Sequence, residues 1–79
     1  MLDKLDNYLN DKKFKIVLEE NSLYIANYSR IISLEEQYIS LLTKNKRISI
    51  TGNNLSLKKI LEKELLIEGN INKIEALDE

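Results

Sequence analysis

At 79 residues the chain is long enough for one small domain and too short for a two-domain enzyme. Its 43% apolar content is that of a folded chain rather than a disordered one. The 12 Lys and Arg against 13 Asp and Glu, alternating in short blocks, leave a net charge of −1 and no basic footprint for nucleic acid. With no Cys and no His, the sequence excludes thiolate and imidazole chemistry, disulfides and the usual zinc or iron ligand sets.

Leu2, Leu5 and Leu9, joined by Tyr8, recur at spacings of three and four and predict a short amphipathic helix over residues 2–10, within an N-terminal segment of residues 1–12. Asp3, Lys4 and Asp6 interrupt the opening residues before a signal-peptide core could form, and no apolar run approaches the roughly 20 residues of a membrane span. A domain this small, without disulfides and without a secretion signal, points to a cytoplasmic address.

From Lys13 the period falls to two. Phe14, Ile16 and Leu18 alternate with Lys13, Lys15 and Glu19, which predicts a half-buried strand. Glu20-Asn21-Ser22 reads as a turn, and Leu23 to Tyr28 suit a second strand, so a hairpin is expected over residues 13–28. Ile31 to Leu34 and Tyr38 to Leu42 are further strands by composition, although Ser33 followed by Glu35, Glu36 and Gln37 also resembles a helix start.

Both glycines lie in the second half, each between alternating apolar runs. Ile48 and Ile50 precede Gly52, and Leu55 and Leu57 follow it. Leu65 to Ile67 precede Gly69, and Ile71, Ile74 and Leu77 follow it. Since hairpin turns favour residues that accept positive φ, Gly52 and Gly69 are expected to be the turns of two consecutive hairpins. The recurrence of this unit after 17 residues reads as the shared grammar of hairpins rather than as a solenoid, for which two copies are too few. The expected whole is an all-β domain over residues 13–79 with six to eight short strands. It would be a small β-sandwich of immunoglobulin-like outline behind the helix, with a small barrel as the alternative.

The charged groups do not assemble into a catalytic pattern. Glu19-Glu20 and Glu35-Glu36 are adjacent pairs whose members point to opposite faces of a strand, and Glu62, Glu64 and Glu68 read as solvated surface. Serine and threonine have no imidazole partner, and neither a calcium loop nor a phosphate cradle occurs. No enzyme, cofactor or metal is expected. Lys44, Lys46 and Arg47, with Tyr24, Tyr28 and Tyr38, are the one combination that suits single-stranded nucleic acid, and it is more simply a polar turn and cross-strand packing.

The stretch from Leu23 to Leu77 carries an ordered series of motifs. It begins with Leu23-Tyr24-Ile25-x-Asn27, the pair Ile31-Ile32, and Tyr38-x-x-Leu41-Leu42. It continues with Ile48-x-Ile50-x-Gly52-x-x-Leu55-x-Leu57 and Glu64-Leu65-Leu66-Ile67-Glu68-Gly69-x-Ile71. In this series the chain resembles the YabP/YqfC family of small sporulation proteins, closest to its YqfC branch. The resemblance implies a small β fold, expression in the mother cell of an endospore-forming bacterium, and a companion role beside a YqfD-like membrane-bound sporulation protein. It implies no enzymatic reaction, and only Gly52 and Gly69 carry over, as structural positions. Together these readings lead to the expectation of a non-catalytic protein-interaction module, docking through an open strand edge or the N-terminal helix. The alternative is a homo-oligomeric structural element of spore-envelope assembly.

Overall fold

Alternation of apolar and polar residues turns each segment after Lys13 into a strand with one face to bury, and six such strands pair in one antiparallel sheet. The computed structural model describes residues 13–78, so the helix expected over residues 2–10 lies outside the described residues. The strands are β1 (Lys15–Glu19), β2 (Ser22–Ala26), β3 (Arg30–Leu34), β4 (Tyr38–Leu42), β5 (Lys46–Leu61) and β6 (Glu64–Asp78). Their order across the sheet is β1-β2-β6-β5-β4-β3. The hairpin expected over residues 13–28 is present: Glu19 pairs with Ser22 across Glu20-Asn21. Residues 35–37 connect β3 to β4 without a helix.

The glycines do not form turns. Gly52 lies inside the 16-residue β5 and Gly69 inside the 15-residue β6, and the two strands form one long hairpin rather than two short ones. The chain reverses instead at Glu62-Lys63, where Lys63 adopts a φ of 71°. The interval of 17 residues between the glycines is thus the distance out to this turn and back.

Each glycine is required by a close approach of backbones. A Cβ at residue 52 would overlap the carbonyl oxygen of Asn70, and one at residue 69 would lie 2.7 Å from the carbonyl oxygen of Asn54. Gly69 also has a φ of 141°, a conformation that other residues rarely adopt. Around these positions the pairing slips three times, between Thr51 and Gly52, between Asn53 and Ser56, and between Leu57 and Lys59. Such bulges bend a strand and increase its twist. Backbone donors in the bend find partners in two hairpin turns: Gly52 N–H donates to Gln37, Leu55 N–H to Glu36, and Gly69 N–H to Asn21. The bend therefore leaves these amides satisfied.

Bending brings together the two ends of β5. Asn27 N–H donates to the Lys63 carbonyl at 2.6 Å, and Ser29 N–H donates to the Leu42 carbonyl at 2.7 Å, so two residues of the β2–β3 connection bridge both ends of the long hairpin. The sheet is accordingly one continuous structure folded on itself, not the two unlinked sheets of the expected sandwich. One half comprises β1, β2, residues 64–68 of β6 and residues 56–61 of β5; the other comprises β3, β4, residues 46–53 of β5 and residues 70–78 of β6.

Both halves supply a single core. Leu23, Ile25, Leu65 and Ile67 come from the first half and Ile39, Leu41, Ile48 and Ile50 from the second, with Leu55 at the bend and Tyr28 at the connection. Burial of each aliphatic side chain contributes about 1.5 to 3 kcal/mol, which offsets the ordering of the long strands.

Gly52→Ala is expected to cost about 3 kcal/mol or to prevent folding, because the obstructing atom is backbone and cannot turn aside. At the true turn the sign reverses. Lys63→Gly is expected to stabilise by about 0.5 to 1 kcal/mol and Lys63→Val to destabilise, since the left-handed conformation is strained in branched residues. Urea unfolding followed by circular dichroism measures all three.

Candidate interaction surface

Folding the sheet in two creates four lateral edges. β1 and β3 end the hydrogen-bonded order, residues 56–61 of β5 have a partner strand on one side only, and so do residues 70–78 of β6. Seven large apolar side chains are exposed among the described residues, and each belongs to one of these edges: Val17 and Leu18, Ile32 and Leu34, Ile60 and Leu61, and Leu77. A strand edge displays unpaired backbone donors and acceptors, so apolar side chains beside it make a surface that can accept another strand.

The edges differ in protection. β3 is interrupted by a register shift between Ile31 and Ser33. The free part of β5 carries Lys58 and Lys59 beside its own shift, and the free part of β6 carries Lys73 and Glu75. Bulges and charges of this kind discourage strand addition. β1 pairs with β2 through five consecutive residues with no shift, and at its centre Val17 and Leu18 are exposed.

At the end of the molecule opposite the bend, the turns at residues 43–45 and 62–63 and the connection at residues 27–29 surround an open hollow. Asn27, with a φ of 66°, donates its side-chain amide to the Lys13 carbonyl at 2.8 Å. Thr43 Oγ1 accepts the Lys46 N–H at 2.9 Å and shapes the β4–β5 turn. Lys46 Nζ in turn meets the Asp78 carboxylate at 2.6 Å, and this contact holds the exposed Asp78 carboxyl below its ordinary value.

Of the residues singled out for nucleic acid, Tyr28, Lys44 and Lys46 line this hollow together, and the other three lie on separate strands. Tyr28 is buried in the core. Tyr24 lies on β2 opposite Leu66, and Tyr38 on β4 opposite Thr51, with its hydroxyl 3.2 Å from Ser49 Oγ. Arg47 lies in register between Leu42 and Leu77, and Lys46 is engaged by Asp78. The three tyrosines share no cross-strand neighbour, so they do not form a stacking platform with the basic turn. Of the carboxylates, Glu64 accepts the Tyr24 hydroxyl and Glu68 lies 3.8 Å from Lys58. No group of three potential metal ligands occurs among the described residues.

The sequence profile of the YabP family matches residues 10–79, which takes in every described strand, both glycines of the bend and the turn between them. The chain belongs to the YabP family. Among curated proteins, the uncharacterized protein YqfC of Bacillus subtilis strain 168 is 33% identical over 52 residues. That match covers 66% of this chain and 56% of YqfC, so it spans little more than half of the relative's length. No solved structure matches this YabP-family fold. Among the described residues no helix is long and apolar enough to cross a membrane.

What reading the sequence missed is the tie between Tyr24 and Glu64, whose side chains meet across neighbouring strands. The carboxylate that accepts the Tyr24 hydroxyl proton raises the phenol above its ordinary value, with partial burial and the neighbouring negative charge acting in the same direction. Because the folded-state value lies above the unfolded one, this contribution is complete below pH about 10 and is lost as pH rises through the folded value. Tyr24→Phe is expected to lower stability by about 0.5 to 1 kcal/mol at neutral pH. The gap from the parent protein is expected to narrow at more alkaline pH, as measured by urea unfolding at a series of pH values.

Proposed function

We propose that this YabP-family chain is a non-catalytic interaction module of endospore formation, which docks on a membrane-bound sporulation protein of the YqfD kind in the cytoplasm of the mother cell. The observation that carries the reading is the distribution of exposed large apolar side chains among the described residues, all seven of which lie on strand edges. Strand addition would give such a surface affinity through the backbone and selectivity through alternate side chains. The near-neutral charge suits this mode, because no strong field of either sign would steer the chain to nucleic acid or anionic lipid instead. Membership of the YabP family and the likeness to YqfC support the setting in sporulation.

Within this reading the edge formed by residues 56–61 is the docking strand: Lys58, Lys59 and the register shift discourage indiscriminate strand addition and leave the edge to a partner strand matched to them. Ile60 and Leu61 are exposed on its two opposite faces, since Ile60 stands in register with buried Leu65 and Leu61 with Glu64. Capture of the tagged chain from detergent-solubilised membranes of sporulating cells is expected to recover a membrane sporulation protein. Ile60→Glu is expected to reduce that recovery at least about tenfold without altering the circular dichroism spectrum. Recovery of no protein partner from those membranes overturns the reading.

A further inference from the structure

We propose that β1 is a self-complementary edge through which two copies of the chain join their sheets about a twofold axis. The inference is independent of the docking reading above, which uses a different edge. It starts from the sequence of the strand, Lys15-Ile16-Val17-Leu18-Glu19, and from its position at the end of the sheet order.

A twofold axis requires two identical edges to run antiparallel, so that each residue meets a partner at a fixed sum of positions. When Val17 lies on the axis, Lys15 faces the partner's Glu19, Ile16 faces the partner's Leu18, and Val17 faces the partner's Val17. Every pair is then matched in character, and the two charge pairs are of opposite sign. A displacement by two residues sets Lys15 against Val17 in one direction and Glu19 against Val17 in the other. A displacement by one changes the face on which each row lies. The centred register is therefore the one that charge and apolar pattern both select.

The faces agree with this register. Ile16 and Leu18 stand in register with the core residues Ile25 and Leu23, so they share the inner face of the sheet, while Lys15, Val17 and Glu19 share the outer face. Leu18 is nonetheless 57% exposed and Val17 49% exposed, because no strand lies beyond β1 among the described residues. A partner strand would cover both. It would extend the inner apolar row by an Ile16–Leu18 pair on each side of the axis and close the outer row with two Lys–Glu pairs. The other three edges carry a bulge or lysines that oppose the same arrangement, whereas β1 has neither at its centre.

Sedimentation equilibrium of the full chain at about 10 to 100 µM is expected to show a monomer–dimer equilibrium. Val17→Lys places two like charges on the axis and is expected to weaken dimerisation at least about tenfold, with an unchanged circular dichroism spectrum. Glu19→Lys sets Lys15 against a like charge twice per dimer and is expected to weaken it by a similar factor. The double variant Lys15→Glu/Glu19→Lys restores the opposition of charges and is expected to recover the parent affinity. A parent chain that stays monomeric throughout that range, or a dimer indifferent to Val17→Lys, overturns the proposal. So does a double variant no tighter than Glu19→Lys. Ile60→Glu, which tests the membrane partner, is expected to leave this equilibrium unchanged, so either idea can fail while the other stands.

Discussion

The fold depends on the approach of two backbones at the middle of the β5–β6 hairpin, where Gly52 meets the Asn70 carbonyl and Gly69 meets Asn54. Side chains at either position would hold the strands apart and keep the hairpin from bending there. Once the bend exists, the halves of the hairpin face each other, and residues far apart along β5 can bury one another. Among the described residues the eight fully buried aliphatic side chains divide evenly between the two halves, so each half covers what the other exposes. The bend is also where a ladder would lose donors, and the turns at Asn21 and at Glu36-Gln37 accept them.

The surface follows from the same constraint. A flat six-stranded sheet has two edges; folding this one in two leaves the far part of each long strand without a second neighbour, and the number of edges becomes four. Apolar side chains needed near the core margin then stand beside open backbone. Bulges and lysines moderate three of these margins, and the remaining one is short and carries its charges only at its ends. Such a molecule presents several margins of open backbone beside apolar side chains.

Much of the fold was legible in the sequence. β1 to β4 and the Glu20-Asn21 turn follow from period-two alternation, and Ile48, Ile50 and Leu55 are buried as that pattern implies. The long hairpin was not legible, for a physical reason: glycine is demanded both by turns of positive φ and by close contact of backbones, and the two demands look alike in one sequence. The actual turn, Glu62-Lys63, carries no turn-favouring residue, since a lysine there tolerates its φ at some cost. A signal did exist in the phase of alternation. Inward residues pass from 48 and 50 to 55 and 57, then to 60, and each change of parity marks a bulge rather than a reversal of the chain. Of the interaction surface, the charge symmetry of Lys15 and Glu19 is visible in sequence, but which edges remain free depends on sheet order, which local patterns do not carry.

The order of strand pairing has a consequence for how the protein is made. β1 and β2 leave the ribosome as one hairpin and β3 and β4 as another, and the two have no strand in common until the last two strands emerge between them. An isolated two-stranded hairpin is marginal in water, so the nascent chain has little to hold it before β5 and β6 are available. Folding of this domain thus waits until residues 46–78 have been translated, and its rate is set by contacts as distant as Asn27 with Lys63.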